Sequence, residues 1–232
     1  MARDQLIAIV TARDEADRIQ ATIAAVREAF PGVRVVLAES GSRDATAALA
    51  ERAGAEVVRT SSRRRGKGAS ATTAARAALS SPGASGATFL LCDGDLGISA
   101  GRLGPLVEAV ESGDCDLAVA AFARRLGGGF GLAVGFARWA IRDLTGLELR
   151  APISGQRALR GSSLELLLPF ADGFGMETGM TIDAARAGLV VKEIEIDLEH
   201  RATTRSLSGF AHRGRQLANF ARTYLARRRA GR

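Results

Sequence analysis

A short apolar run that ends in two acids is the part of this sequence best suited to chemistry. Residues 89–92 (Phe-Leu-Leu-Cys) are followed directly by Asp93, Gly94 and Asp95. Two carboxylates one residue apart on a turning backbone can face one hard cation, and a nucleotide diphosphate can supply the remaining oxygen ligands. The alternative, a plain Asp-Gly turn that caps a helix at Ser99, does not explain why an apolar strand ends in two acids. The sequence therefore predicts a site for Mg²⁺ or Mn²⁺ and a metal-assisted transfer reaction.

Strands and helices alternate through the first hundred residues, and this alternation determines where the two acids lie. Short apolar runs predict strands, and segments with helical periodicity or many alanines predict helices. The predicted strands are 6–10, 33–38, 55–58 and 88–92, and the predicted helices are 14–30, 45–53 and 67–79. The alternation predicts an α/β fold with a mostly parallel sheet and helices on both faces. Because ligands bind at the carboxyl ends of such strands, we expect residues 39–42 and 93–95 to share one crevice.

The second half of the sequence is less regular but continues the same domain. Its predicted helices are 103–112, 136–144, 176–187 and 210–229, and its predicted strands are 116–122, an edge strand at 153–159 and a final strand at 189–198. The glycine-rich stretch 124–135 is expected to be a loop. Because no long linker interrupts the chain, we expect one domain over residues 1–205, followed by a basic helix over residues 206–232.

Composition limits the class of protein and its partners. The chain has 232 residues, of which 47% are hydrophobic, so it can form a sizeable core. Its net charge of +7 favours anionic partners such as phosphates. The two cysteines have neither a disulfide framework nor metal-ligand spacing. No transmembrane helix and no signal peptide are predicted, so we expect a cytoplasmic protein.

The basic C-terminal segment, residues 213–232, allows two interpretations. Its arginines surround Leu217, Phe220 and Leu225, so the segment can lie on an anionic membrane surface at the inner face. The alternative, which we prefer, is a packed terminal helix with a frayed basic end. Binding to nucleic acid is disfavoured, because aromatic residues make up only 5% of the chain and no stacking platform is visible.

Several short motifs follow one another in a characteristic order. They are Thr11-Ala12-Arg13-Asp14-Glu15, Glu39-Ser40-Gly41-Ser42-Arg43-Asp44-Ala45-Thr46, Gly66-Lys67-Gly68, Asp93-Gly94-Asp95, Ala123-Arg124-Arg125, Ser154-Gly155-Gln156-Arg157 and Gly173-Phe174-Gly175-Met176-Glu177. With this order and spacing, the chain resembles family 2 glycosyltransferases with the GT-A fold over residues 6–205. Within that family it is similar to bacterial polyprenyl-phosphate sugar transferases and glucosyl-3-phosphoglycerate synthases.

The resemblance implies transfer of a sugar from a UDP- or GDP-linked donor to a phosphate-bearing acceptor, either polyprenyl phosphate or a small phosphorylated molecule. It divides the domain into a nucleotide-sugar-binding half, residues 1–100, and an acceptor half, residues 101–205. The residues implied for donor binding are Thr11, Ala12, Arg13, Glu15, Glu39, Gly41, Ser42, Lys67, Asp93 and Gly94. The implied metal ligands are Asp95 and Asp93, with His200 as a third. A homodimer is a further expectation.

The acceptor decides whether the reaction needs a base. Glu177 is the candidate, because a carboxylate at the start of a helix after a glycine-rich turn can deprotonate an acceptor hydroxyl. The alternative is a glutamate placed there by the helix dipole. A phosphate acceptor is already ionised and needs cations instead, and arginine pairs with phosphate in a bidentate way. The residues expected to bind the acceptor are Arg124, Arg125, Gly155, Gln156 and Arg157.

The chain departs from the family pattern at two motifs. The family usually has Asn where this chain has Asp14, and two aspartates where it has Glu39 and Ser40. Serine cannot replace a charge, so a non-catalytic nucleotide-sugar-binding relative is one alternative. A sugar-phosphate nucleotidyltransferase is another, but those enzymes usually have a glycine-rich loop after the first strand, and residues 11–15 contain no glycine.

Overall fold

A seven-stranded mixed sheet lies at the centre of the computed structural model, which describes residues 5–60, 66–122, 131–198 and 207–230. The strands are β1 (Leu6–Ala12), β2 (Arg34–Glu39), β3 (Glu56–Arg59), β4 (Thr88–Asp93), β5 (Leu117–Phe122), β6 (Arg157–Arg160) and β7 (Val191–Ile196). Their order is β3-β2-β1-β4-β6-β5-β7, and β6 alone runs antiparallel to its neighbours. The predicted α/β fold with a mostly parallel sheet is confirmed.

Helices cover both faces of this sheet. They are α1 (Ile19–Ala29), α2 (Thr46–Arg52), α3 (Lys67–Leu79), α4 (Gly104–Glu111), α5 (Gly131–Thr145), α6 (Gly161–Leu166), α7 (Met176–Arg186) and α8 (Leu207–Ala230). Short 3₁₀ segments lie at Gly97–Arg102 and Gly173–Gly175. Successive residues of β1 point to opposite faces, so Ala8 and Val10 pack with α1 and α4, while Ile7 and Ile9 pack with α3 and α7.

Three predicted elements differ from the structure. Helix α5 was expected to begin at residue 136 but begins at Gly131, inside the stretch that was expected to be a loop. Helix α1 was expected to begin at residue 14 but begins at Ile19. The preceding backbone is held by the loop after β2, and Asp14 adopts a φ of 57°, which a helix does not allow. Strand β6 was expected at an edge but lies between β4 and β5. Its short length concealed its central position, whereas the alternating acids of β7 mark that strand as the edge.

The first turn of α3 packs directly on the backbone of residues 171–173. A Cβ atom added at Gly68 would lie 1.9 Å from the carbonyl oxygen of Ala171. At Gly66 the φ of 111° suits glycine, and an added Cβ would lie 3.6 Å from the Cα of Gly173. These two glycines therefore allow a close contact that fixes the position of Lys67, the residue between them.

Substitution by alanine should have opposite effects on stability at two helical glycines, because only one of them lies in this close contact. We expect Gly68→Ala to lower the free energy of unfolding by on the order of 2 kcal/mol, because the collision is with backbone and requires a shift of α3. Gly135→Ala in α5 is the matched control, since its Cβ would meet nothing within 4 Å. It should raise stability by about 0.5–1 kcal/mol through helix propensity. Urea unfolding of both variants checks this, and a Gly68→Ala protein as stable as the control would refute the contact.

Candidate active site

The turn at residues 93–95 is held in place by helix α1. The hydroxyl of Thr22 donates to the carbonyl of the turn's glycine and accepts the backbone N–H of Gly97, both at 2.8 Å. The guanidinium of Arg18 donates to the carbonyl of Asp95 at 3.2 Å. Sequence reasoning missed both side chains. The available signal was Thr22, a polar residue on the apolar stripe of the predicted helix, where it is fully buried.

The carboxylate of Asp93 accepts hydrogen bonds from Thr11 and Gln156 and forms an ion pair with Lys67, so it contacts three other parts of the chain. Its Oδ1 accepts the hydroxyl of Thr11 at 3.0 Å and lies 2.5 Å from the ammonium of Lys67. Its Oδ2 accepts the side-chain amide of Gln156 at 2.9 Å. A Cβ at Gly155 would lie 2.5 Å from the same Oδ2 atom, so glycine is needed there. Asp93 thus joins residues that sequence reasoning had divided between donor and acceptor binding.

Lys67 lies between two carboxylates. Its ammonium is 2.7 Å from Oε1 of Glu177 as well as 2.5 Å from Asp93, and its side chain is 26% exposed. Burial opposes the positive charge, but the two carboxylates outweigh burial and raise the pKa of Lys67 above its ordinary value. The structure therefore brings the candidate base, a carboxylate of the metal motif and a permanent cation into one cluster.

Hydrogen bonds join the loops that follow β1 and β2. The backbone N–H of Asp14 donates to the Ser42 hydroxyl at 3.1 Å, and the Asp14 carboxylate accepts the N–H of Arg43 at 2.7 Å. The N–H of Glu15 donates to the hydroxyl of Thr46 at 2.8 Å. The positive φ of Asp14 is one that Asn and Asp adopt more readily than other side chains. The change from the family's Asn to Asp14 is therefore compatible with this turn.

The motif that follows β2, residues 39–46, lies beside these two joined loops. The carboxylate of Glu39 is buried and accepts the N–H of Ser42 at 2.5 Å. Ser40 shares a hydrogen bond of 2.5 Å with the hydroxyl of Ser70 in α3, and its N–H donates to the carbonyl of Ala12. The serine in place of a family aspartate thus bonds to α3. The exposed residues Arg13 and Gly41 lie at the same edge of the sheet.

Arg157, which the sequence predicted to bind the acceptor, is buried and forms hydrogen bonds within the protein. Its side chain is only 1% exposed, and its guanidinium donates to the carbonyls of Ser154 and Pro152 and to the hydroxyl of Thr181. Burial lowers the pKa of Arg157 to about 10, which leaves it charged at neutral pH. Gln156 is also fully buried and binds Asp93. Arg157 therefore supports the segment that enters β6, and Gln156 holds the carboxylate at the end of β4.

Three predicted site residues, Arg124, Arg125 and His200, lie outside the described residues. Among the residues that the structure describes, no group of three or more His, Cys, Asp or Glu side chains is arranged to hold a metal ion. The described carboxylates of the predicted metal motif are Asp93 and Asp95, at the carboxyl end of β4. A divalent cation here would need further ligands besides these two carboxylates.

Helix α8 packs against the body of the protein through aromatic residues. Phe220 and Tyr224 are buried, and the Tyr224 ring lies 4.9 Å from the ring of Trp139 in α5. The Tyr224 hydroxyl donates to the carboxylate of Asp143 at 2.9 Å. These contacts favour the packed-helix interpretation of the C-terminal segment. No helix in the described ranges is both long and apolar enough to cross a membrane.

Comparison with known proteins identifies the family. The model of glycosyl transferase family 2 matches residues 7–150, more than half of the chain and all of the β1–β5 region. This chain belongs to glycosyl transferase family 2. It is therefore a glycosyltransferase, as the order of its motifs predicted. Residues 154–157 and Glu177 lie beyond the matched range, so their assignment depends on the geometry described above.

Solved structures extend the similarity over nearly the whole chain. Glucosyl-3-phosphoglycerate synthase from Mycobacterium tuberculosis, in complex with Mn²⁺, UDP and glucosyl-3-phosphoglycerate, is 25% identical with a TM-score of 0.77. The same enzyme with Mn²⁺, UDP-glucose and glycerol 3-phosphate gives the same values, and both alignments cover 97% of this chain and 80% of that one. A further mycobacterial protein is 27% identical with a TM-score of 0.78, covering 97% and 74%. A search of curated proteins gives no significant match.

The cluster around Lys67 predicts coupled losses of stability. We expect Lys67→Met to lower the free energy of unfolding by about 2 kcal/mol, because it leaves Asp93 and Glu177 without their cation at a partly exposed site. Glu177→Gln should cost less, and the double variant should lose clearly less than the sum. Denaturant unfolding of the four proteins measures this coupling, and additive losses would contradict it.

The pH for that measurement follows from the raised pKa of Lys67. A lysine whose pKa rises on folding contributes its full stabilisation below the ordinary value of 10.5 and loses it only as the pH rises through the folded value. The coupling between Lys67 and Glu177 should therefore be unchanged between pH 7 and pH 9. A decrease over this interval would show that the ammonium is not held by both carboxylates.

Proposed function

We propose that this glycosyltransferase moves a sugar from a nucleotide diphosphate sugar to a small phosphate-bearing acceptor and depends on Mg²⁺ or Mn²⁺. The observation that carries the proposal is the Lys67 ammonium, held between Asp93 and Glu177 at the carboxyl edge of the parallel strands. Similar enzymes that bind UDP-glucose, Mn²⁺ and phosphorylated three-carbon compounds support a donor of the UDP-glucose type. Polyprenyl phosphate is the other acceptor class expected from the sequence.

The carboxylate ligands at the end of β4 fit a divalent cation that binds together with the nucleotide sugar. Asp95 and Asp93 provide hard oxygen ligands, and Mg²⁺ is usually bound by one or two carboxylates with substrate phosphates and water. We assign Asp95 as the main ligand, as the family resemblance implies, and Asp93 as the carboxylate that holds Lys67. When bound, the cation would stabilise negative charge on the departing diphosphate as a Lewis acid. His200 stays a predicted third ligand.

Lys67 is placed to act on the same charge. Its ammonium stays protonated at neutral pH, because the carboxylates of Asp93 and Glu177 raise its pKa. A fixed cation beside a leaving diphosphate stabilises the charge that develops in the transition state, and it needs little reorganisation during the reaction. Asp93 and Glu177 hold the ammonium from two sides. This arrangement lets the donor half and the acceptor half of the domain share one cation.

Glu177 is the proposed base when the acceptor attacks through a hydroxyl group. Glu177 is 5% exposed and lies in the first turn of α7, where its carboxylate is 2.7 Å from the ammonium of Lys67. An ionised carboxylate can accept a proton once an acceptor hydroxyl comes within hydrogen-bond distance. If the acceptor attacks through an ionised phosphate, no base is needed, and Glu177 serves only to hold Lys67.

Family membership argues against nucleotidyl transfer, and the presence of Asp93 and Asp95 argues against a non-catalytic relative. Three further expectations stay predictions from the sequence. They are a cytoplasmic location, contact of the basic helix with an anionic membrane surface, and assembly into a homodimer.

The donor and its metal are tested together by thermal shift. We expect a UDP- or GDP-sugar with Mn²⁺ to raise the melting temperature by several degrees, because a ligand that binds only the folded state stabilises it. Asp95→Asn should abolish the metal-dependent part of this shift and keep the ligand-free melting temperature. The control is Asp114→Asn, an exposed acid before β5 at the opposite edge of the sheet. An equal metal-dependent shift in both variants would reject the metal role of Asp95.

The acceptor is tested by steady-state kinetics with glycerol 3-phosphate and 3-phosphoglycerate. We expect Arg124→Ala or Arg125→Ala to raise the acceptor KM at least tenfold, because a bidentate guanidinium contact with phosphate is lost. Hydrolysis of the donor should be unchanged. The control is Arg142→Ala on α5. Its side chain is 60% exposed and forms a loose ion pair with Glu148 at 3.7 Å. Parallel losses of transfer and donor hydrolysis would count against an acceptor role.

A further inference from the structure

The geometry points to Thr223 and Asn219 of helix α8 as positioning residues that set the place of Glu177 against Lys67. This inference rests on the proposed function, because it concerns the same cluster. It assigns a role in the active site to the C-terminal helix, which lies outside the range matched by the family model. Both residues pack on the turn that precedes Glu177, and each acts through that turn.

Thr223 packs against the turn at its last residue. A Cβ atom added at Gly175 would lie 2.0 Å from Oγ1 of Thr223 and 3.1 Å from its Cβ. Gly175 is two residues before Glu177 and directly precedes helix α7. The hydroxyl of Thr223 therefore occupies the space that any larger residue at position 175 would need.

Asn219 packs against the same turn one helical turn earlier in α8. An added Cβ at Gly173 would lie 2.5 Å from Nδ2 of Asn219, and Gly173 also faces Gly66 from the other side. The turn at residues 173–175 is thus enclosed between the start of α3, which carries Lys67, and one face of α8. Because protein interiors are closely packed, a shift on either side moves the start of α7.

Helix α8 is itself firmly fixed, which it must be to position another element. Arg227 forms two hydrogen bonds with the carboxylate of Asp183 in α7, at 3.1 and 2.6 Å. Arg186 donates to the carbonyl of Arg227 at 2.7 Å. Phe220 is 2% exposed. These contacts attach α8 to α7, the helix whose first turn contains Glu177.

A compensating pair of substitutions tests the inference. Gly175→Ala should displace the start of α7 and reduce kcat at least tenfold, because small misplacements of catalytic groups are costly, while nucleotide affinity changes less than threefold. Adding Thr223→Ala removes the colliding hydroxyl and should restore kcat to within threefold of Thr223→Ala alone. Adding Thr223→Val retains the bulk, so this matched control should restore nothing.

A second measurement does not depend on activity. The coupling between Lys67 and Glu177, measured by unfolding a double-mutant cycle, should fall by more than half in the Gly175→Ala background. It should return when Thr223→Ala is added. A wild type that transfers no sugar would refute the proposed function but leave this coupling as the test of the inference. Unchanged coupling and kcat in Gly175→Ala, or equal recovery with alanine and valine at position 223, would overturn the positioning role.

Discussion

The ion pairs of Lys67 are the interaction on which the arrangement of this site depends. Asp93 ends a central strand of the sheet and Glu177 begins a helix on its face, and a single ammonium lies within 2.7 Å of both. Two carboxylates this close to one cation would repel each other if the cation were absent. The lysine therefore allows the two acids to lie close together, and the raised pKa of Lys67 reflects the same balance of charges.

Glycine makes this arrangement possible at several points. Side chains at positions 68 and 155 would collide with the backbone of residue 171 or with the charged groups of Asp93 and Lys67. These two glycines are needed for close packing and not for flexibility, because backbone or charged side chains lie within van der Waals contact of each. The close packing keeps the ammonium partly shielded from water, which strengthens its ion pairs.

The sequence allowed the fold and the location of the site to be predicted, because alternating strands and helices and the residues after β1, β2 and β4 are local signals. The N-terminal boundary of α1 was wrong, since hydrogen bonds from a distant loop compete with the helix there. Arg157 was expected to bind the acceptor from an edge strand, and its burial depends on the central place of β6, which no local pattern reveals. The contacts of Lys67, Thr22 and Thr223 join residues far apart in the chain, so spacing alone does not predict them.

The reversed direction of β6 has a consequence for how this site can diversify. A strand that runs antiparallel to its neighbours begins at the edge of the sheet where they end. The chain that enters β6 therefore lies at the same edge as the carboxyl ends of β1, β2 and β4. Apart from Gly155 and Gln156, which meet Asp93, that entering segment can change in length or composition without altering any βα connection of the nucleotide side. Under the acceptor-binding role predicted for this segment, selectivity for the molecule that receives the sugar can thus evolve separately from recognition of the nucleotide sugar.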